Sequence, residues 1–416
     1  MKTSNIWLSR QILEVLASVG TTDVVFCAGA RNSPLILQLE KTKGLRLWSF
    51  FDERSAGFFA LGLSQNKNRP VAVITTSGTA VAELLPAAVE ATYAQTPLIF
   101  VTADRPRRFR GTGSPQSIDQ VGIFSQYVEL CRDLSTEDGS TLESGLQLSQ
   151  WSGRAPLQIN VCFDEPLCDE EPQSLELEIK PTTKHLQADP SLAAETRITD
   201  PIVIAGGLSP EEARRVVPHL VRLGAPIYAE GPSNLSQFSE LNSLLLTGGD
   251  RIIRTAFEKA WARSVLRVGG VPTLRFWRDL EDRQSQVPVV SVANGEWTGL
   301  ARPTTHILGL ENLSSINAVV TDGARTLIHD WDQKQTHQLL GLLERHPRSE
   351  VALVASLGRH LQNQFLYVGN SLPIREWDLA SGLVGSPARV SANHGANGID
   401  RQISSFLGQY HPELEN

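Results

Sequence analysis

Residues 71–104 read VAVITTSGTAVAELLPAAVEATYAQTPLIFVTAD, and this stretch decides the fold. VAVITT is short, apolar and β-branched, the pattern of a strand buried on both faces. Ser77-Gly78 marks a turn, TAVAELLPAAVEATYAQ has helical character, and PLIFVTAD is a second buried strand. A strand, a helix and another strand joined by short turns form a parallel βαβ unit. Working outward, the same grammar repeats. Residues 6–19 carry Ile6, Leu8, Ile12, Leu13, Val15 and Leu16 at helical spacing, with Ser4 and Asn5 available as caps. TTDVVFCAGAR is a strand entering a turn, and RNSPLILQLEK is a helix with Pro34 in its first turn. LRLWSFF is a strand, DERSAGFFALGLSQ a helix, and APLQINVCFDEPL a final apolar strand. The expectation is an α/β fold with doubly wound parallel-sheet domains.

Beyond this region the composition shifts. Residues 169–200 are polar, proline-containing and aperiodic, which reads as a linker. PIVIAGGLSPEEARRVVPHLVRLG opens a second α/β pattern, with Ser209 as cap and Pro210 behind it. APIYAEG, SVLRVGG, PVVSVAN, HILGL and NAVVTDG are further strands. From about residue 335 come a helix end (LLGLLERHP), a further unit (VALVASLGRHLQ), a strand running into a turn (QFLYVGNSLPIREWDL), then a short strand, Gly-rich loop and helix start (RVSANHGANGIDRQISSFLGQ). The expected division is an N-terminal domain over 1–168, a linker over 169–200, a central domain over 201–335, and the start of a third domain over 336–416. If that third domain is incomplete, Leu383, Val384, Ile399, Ile403 and Leu407 should carry apolar surface outward.

The 416 residues carry 38 Lys and Arg against 45 Asp and Glu, a net charge of −7, which disfavours a nucleic-acid partner. No apolar run reaches the ~18 residues of a membrane span. The amphipathic N-terminus lacks the pattern of a signal peptide. The four cysteines form no CxxC and read as free thiols, so the expected compartment is the cytoplasm. HExxH, GxSxG, GxxxxGK[ST] and GxGxxG are absent, and the first histidine is His185. Chemistry in the N-terminal domain must therefore use carboxylates, arginines or a cofactor.

Four strand-to-helix turns are candidates, since ligands of open α/β sheets bind at the carboxyl ends of strands. Cys27–Pro34 offers helix N–H groups and Arg31; it is equally an ordinary turn with an exposed arginine. Asp52-Glu53-Arg54 follows Phe50 and Phe51 and precedes an apolar helix, so Glu53 is expected to be poorly hydrated and suited to proton relay; acids decorating a helix start are the plain alternative. Thr75–Ala80 brings hydroxyls and N–H groups that either hold a ligand or cap a helix. Asp104–Arg110 holds four arginines, of which Arg105, nearest the strand, is the candidate ligand contact; the others read as a solvated basic loop.

The strings AGARNSPL, FDERSAGFFALGL, TTSGTAVAELLPAAVEA, PLIFVTADRP, GSPQSIDQ and APLQINVCFDEPL, with YVGNSLPIREWD and SANHGANGID later, resemble one family. It is the 2-succinyl-5-enolpyruvyl-6-hydroxy-3-cyclohexene-1-carboxylate synthase family, thiamine-diphosphate enzymes of menaquinone biosynthesis. The resemblance implies decarboxylation of 2-oxoglutarate on the cofactor and conjugate addition of the resulting carbanion to isochorismate. It makes Glu53 the carboxylate on N1′ of the aminopyrimidine, with Thr76 beside that ring. It makes Arg31, Arg105, Gln116, Arg275, Ser371, Arg375 and His394 substrate-binding positions. It implies a homodimer or homotetramer.

Three departures stand out. His394 occupies the place of the family's arginine, and Ala28 and Ala30 replace a proline and a serine. The family's Gly-Asp…Asn run, which binds Mg²⁺ and the diphosphate, does not occur in these residues, so no metal ligands are assigned. The isolated chain is accordingly expected to be inactive unless a separate chain supplies that segment. The alternatives are a non-catalytic relic or partner subunit, and a different carboligase of the same cofactor group, the latter disfavoured by TADRP and GNSLPIR.

Overall fold

A computed structural model describes residues 4–139, 142–181, 196–361, 363–384 and 389–410. The chain divides into two compact units, Met1–Lys184 with Gly395–Asn416, and His185–His394.

In the first unit, helix α1 (Asn5–Ser18) starts where the Ser4 hydroxyl accepts the Trp7 N–H. Strand β1 (Asp23–Cys27), helix α2 (Ser33–Glu40), the short β2 (Thr42–Lys43) and β3 (Arg46–Phe50) follow. Next come α3 (Glu53–Lys67), β4 (Val71–Thr75), α4 (Thr79–Ala82), α5 (Leu85–Tyr93) and β5 (Leu98–Asp104). Strands β6 (Leu130–Ser135) and β7 (Leu157–Cys162) complete a six-stranded parallel sheet ordered β3-β1-β4-β5-β7-β6. Two apolar layers cover its faces: one around Leu8, Ile12, Val24 and Leu35, the other around Phe58, Leu61, Val73 and Phe100. Burial on both faces is why β4, β5 and β7 read as continuous apolar runs.

The helix expected over residues 79–95 is broken in two. Pro86 has no N–H for an interior bond, and the chain restarts as α5 with the proline in its first turn. The expected linker is not without structure: β8 (Leu175–Glu176) pairs with β2. Its residues 182–195 lie outside the described residues. Helix Gln402–Gln409 packs on α3 through paired glycines. A Cβ on Gly62 would collide with the Ser405 carbonyl, and one on Gly408 with the Phe59 carbonyl.

The second unit holds β9 (Arg197–Thr199), β10 (Pro201–Ala205), β11 (Ile227–Ala229), β12 (Ser264–Val268), β13 (Val289–Ala293) and β14 (Thr305–Leu308). Its main sheet is parallel, ordered β11-β10-β12-β13-β14. Helix Pro210–Leu223 begins with a capping box between Ser209 and Glu212. β15 (Asn317–Val319) does not extend that sheet; it pairs with β9. Helices Asp322–Arg345 and Glu350–Gly358 lead to β16 (Phe365–Tyr367), helix Leu372–Val384 and β17 (Arg389–Ser391), and β16 and β17 pair in parallel. The segment IREWD, expected in a turn, is helical, with Pro373 in a first turn where its missing N–H costs nothing. Of the residues expected to present apolar surface, Ile399 (72% exposed), Ile403 (75%) and Leu407 do so. Leu383 is half-buried, and the Val384 side chain lies outside the described residues.

Candidate active site

In the first unit the chain leaves β1 toward β3 on one side and later returns to β4 on the other. The carboxyl ends of β1 and β4 therefore flank a topological switch point, where open α/β sheets bind ligands. The two turns touch: a Cβ on Gly29 would lie 2.6 Å from Cβ of Thr76. Asn32 holds the first turn, its Oδ1 accepting the Gly29 N–H at 2.8 Å and its amide donating to the Cys27 carbonyl at 2.8 Å. Gly78 takes a left-handed conformation (φ 84°) that admits no side chain without strain. Its Cα faces Gln116, whose Cα would lie 3.4 Å from a Cβ there. Gln116, also left-handed at φ 56°, thus joins the Thr76 turn.

The arginines sort by partner. Arg107 and Arg110 pair with Asp133, and each takes a further carboxylate, Asp138 and Asp104 respectively. Arg108 pairs with Asp164 at 2.6 Å. Arg105 pairs with no carboxylate among the described residues, and its Nε is shielded from solvent without a hydrogen-bond partner. Arg31 is buried; it donates to the Phe163 carbonyl at 3.0 Å and lies 3.2 Å from the Glu165 carboxylate. Burial lowers its pKa, partly offset by Glu165, and the Arg105 charge acts in the same direction as burial. Arg31 and Arg105 are therefore neighbours, with Arg31 already engaged and Arg105 open.

Glu53 is the first residue of α3, which Asp52 caps by accepting the Ser55 N–H at 2.7 Å. The expected desolvation of Glu53 is not what this structure shows: the side chain is half-buried, because Phe51 points fully into solvent (101% exposed). β3 and β4 flank β1, so their ends stand two strand spacings, ~10 Å, apart. Burial first, then the charges of Glu53 and Asp52, push the Cys27 thiol up to about 12, so this thiol is no nucleophile. Glu53, Thr76, Arg31, Arg105 and Gln116 thus come together at one end of one sheet.

The remaining expected positions lie in the second unit. Arg275 opens helix Arg275–Asp279 and is exposed, as are Ser371 (φ 75°) and Arg375. His394 is not exposed; its imidazole is shut away, and burial pushes its pKa down to about 4. Sequence reasoning missed Glu230, a buried carboxyl that touches the residues just before Arg275 and faces His394. Glu230, at the end of β11, accepts the N–H and hydroxyl of Thr273 at 2.6 and 2.9 Å and the Leu274 N–H at 3.0 Å, all just before Arg275. Its other oxygen lies 3.8 Å from Nε2 of His394. Asn370, beside Ser371, donates to the Asn393 carbonyl at 2.7 Å. The available signal was an acid directly after an apolar strand and before Gly-Pro.

Glu53, whose carboxylate takes no hydrogen bond or ion pair from the described residues, and the open Nε of Arg105 suit a polar ring and an anionic ligand. Among the described residues no group of three or more His, Cys, Asp or Glu side chains is placed to hold a metal ion. Among them, too, no helix is long and apolar enough to cross a membrane.

Residues 6–123 match the family described as "Thiamine pyrophosphate enzyme, N-terminal TPP binding domain". Similar proteins bear the name 2-succinyl-5-enolpyruvyl-6-hydroxy-3-cyclohexene-1-carboxylate synthase. One from Bdellovibrio bacteriovorus is 43% identical over 99% of this chain and 79% of its own length. One from Akkermansia muciniphila is 39% identical over 94% and 73%, and one from Chloroflexus aurantiacus 33% over 97% and 74%.

Proposed function

Since the chain belongs to the 2-succinyl-5-enolpyruvyl-6-hydroxy-3-cyclohexene-1-carboxylate synthase family of thiamine-diphosphate enzymes, we propose that it takes part in decarboxylating 2-oxoglutarate and joining the product to isochorismate, in menaquinone biosynthesis. The observation that carries this reading is the switch-point cluster of Glu53, Thr76, Arg105 and Gln116 around the touching Gly29 and Thr76 turns. Thiamine diphosphate, when bound, supplies the carbon nucleophile and the electron sink.

Glu53 would hold a proton against N1′ of the pyrimidine, and Thr76 would flank that ring. Arg105, whose fork has no carboxylate of its own, binds an incoming carboxylate bidentately. Arg31, braced by Phe163 and Glu165, adds fixed positive charge beside it, and Gln116 supplies an amide. In the second unit Arg275, Ser371, Arg375 and His394 complete the proposed set. Mg²⁺ with the diphosphate, a homodimer or homotetramer, a cytoplasmic setting and the division at 168, 200 and 335 belong to the same reading.

The test is titration of the purified protein, supplied with a separate chain that carries the family's Gly-Asp…Asn run, with thiamine diphosphate and Mg²⁺, followed by assay of CO₂ release from 2-oxoglutarate. Binding and release, with isochorismate-dependent product, support the proposal. Absence of cofactor binding overturns it. Binding without turnover supports the second reading, a non-catalytic relative, which the neutral, enclosed His394 favours.

A further inference from the structure

Glu230 and His394 form an arrangement that none of the chemistry above uses. The Glu230 carboxyl is fully buried and its two oxygens are unlike. Oε1 accepts three donors, from Thr273 N–H, Thr273 Oγ1–H and Leu274 N–H. Oε2 has none, and it is shielded from water. Opposite, 3.8 Å away, stands Nε2 of His394, also shielded and without a partner, as is Nδ1. Behind Glu230 a second buried carboxyl, Asp378 on helix Leu372–Val384, accepts the Gly231 N–H at 2.7 Å. Tyr228, on the strand that Glu230 directly follows, is buried near both. Neither carboxyl is paired with a lysine or arginine among the described residues.

An ionised carboxylate shares its charge over both oxygens and wants donors on both. Three donors on one oxygen and none on the other match a neutral acid instead. Its carbonyl oxygen accepts, and its hydroxyl faces an acceptor. The facing acceptor is Nε2. The alternative, imidazolium against carboxylate, would bury two more charges beside Asp378 with only backbone and hydroxyl donors to solvate them. Burial opposes both charged forms: it raises the carboxyls and lowers the imidazole.

We infer that Glu230 is a positioning residue that donates its Oε2–H to Nε2 of His394, fixing a neutral imidazole as the tautomer with hydrogen on Nδ1. A small rotation of either side chain closes the 3.8 Å gap to hydrogen-bond distance. His394 is then a neutral imidazole, held in one orientation, where the resemblance expects a permanently charged arginine fork. The same carboxyl holds the backbone ahead of Arg275, so one side chain sets two of the proposed substrate positions. That last role rests on the proposed function; the hydrogen bond does not.

The experiment is two-bond ¹⁵N–¹H correlation of the imidazoles in the whole chain, His394 being assigned by loss of its signal in His394→Gln. The expected spectrum shows His394 protonated on Nδ1 alone at pH 5.5, about one unit below a free histidine's midpoint and still below the pH at which Glu230 gives up its proton. Glu230→Gln keeps a neutral donor, so the tautomer survives; Glu230→Ala releases it. Infrared difference spectra between wild type and Glu230→Gln should show a protonated-carboxyl band at pH 5.5 that the variant lacks. A doubly protonated His394 that becomes neutral in Glu230→Gln would establish the ion pair and overturn the inference. So would an Nε2–H tautomer. In the turnover assay, Glu230→Ala should raise KM about tenfold, the loss of one hydrogen bond, with Glu230→Gln close to wild type. An unchanged KM with the tautomer intact in wild type would refute the substrate role of His394 and leave the hydrogen bond standing.

Discussion

Glu53 and Glu230 each follow an edge strand of a parallel sheet, and their carboxyls end in opposite surroundings. β3 is open along its outer side: Arg46, Leu47 and Ser49 are exposed, and Phe51 beyond it stands free of the chain. Glu53 consequently keeps much of its water. β11 is covered. The Ile227 N–H donates to the Leu244 carbonyl and the Ile227 carbonyl accepts from Leu246, so residues 244–246 close its edge, while Trp377 and Asp378 pack against Gly231. Glu230 loses all its water and is pushed up to about 7, mainly by burial and against the pull of its three donors. The apolarity of the preceding strand does not decide how a carboxyl is hydrated; what lies across the strand's free edge does.

If this contrast is sound, the two glutamates should fail differently. Glu53→Gln should slow deuterium exchange at the thiazolium carbon of bound thiamine diphosphate by ~10²–10⁴-fold, the usual worth of a positioned acid-base group. Its unfolding free energy in urea should stay within ~0.5 kcal/mol of wild type, as for other partly exposed sites. A large stability loss, or normal exchange, would remove Glu53 from the proposed role. Glu230→Ala should do the reverse to stability. It strands the Thr273 and Leu274 donors and opens a cavity, for a loss of ~2–4 kcal/mol by urea denaturation. Glu230→Gln, which refills the volume, should cost less than half as much.

Much of this was legible in the residues. Continuous apolar strands bounded by Gly, Ser and Asp turns exposed the parallel sheets, because two-sided burial leaves that mark wherever it occurs. The turns at Gly29, Glu53, Thr76 and Arg105 were legible as a group because a doubly wound sheet must bring the ends of neighbouring strands together. Hydration was not legible. That Phe51 faces solvent, and that residues 244–246 return to cover β11, are tertiary outcomes with no periodicity of their own. The break between α4 and α5 is marked in the sequence by Pro86 alone, within residues that otherwise keep a helical pattern. The role of Glu230 was hidden for a further reason. Its partners, Thr273, Asp378 and His394, are separated from it by 43, 148 and 164 positions along the chain.

The arginine loop sharpens the contrast at a lower magnitude. Arg105→Ala removes an unpaired fork, so it should raise KM for a dicarboxylate by roughly 10–100-fold, one charge-assisted hydrogen bond of ~1.5–3 kcal/mol, with little change in stability. Arg107→Ala should leave KM alone and cost about 1 kcal/mol of stability, since its pairs with Asp133 and Asp138 are partly exposed and screened. Equal effects of the two on KM would mean that the loop binds as a diffuse patch.

The smallest expected effect is a cancellation. Glu230 has a raised pKa in the folded chain, from 4.5 to about 7. The folded state therefore keeps a proton that the unfolded state has lost, and this contribution is full below pH 4.5 and gone as pH rises through 7. His394 is lowered from 6.5 to about 4. Its folded state lacks a proton that the unfolded state holds, so its contribution is full above pH 6.5 and lost as pH falls through 4. Between pH 4.5 and 6.5 the two slopes oppose each other, each up to ~1.4 kcal/mol per pH unit. Subtracting the unfolding free energy of Glu230→Gln from that of wild type should give a difference that falls as pH rises across this window. The same subtraction with His394→Gln should give one that rises. With the double variant the difference should be flat, because folding then moves no net proton through this pair. Asp378 is present in every arm and drops out of the subtraction unless its own titration depends on Glu230. A residual slope in the double-variant difference would measure that coupling between the two buried carboxyls.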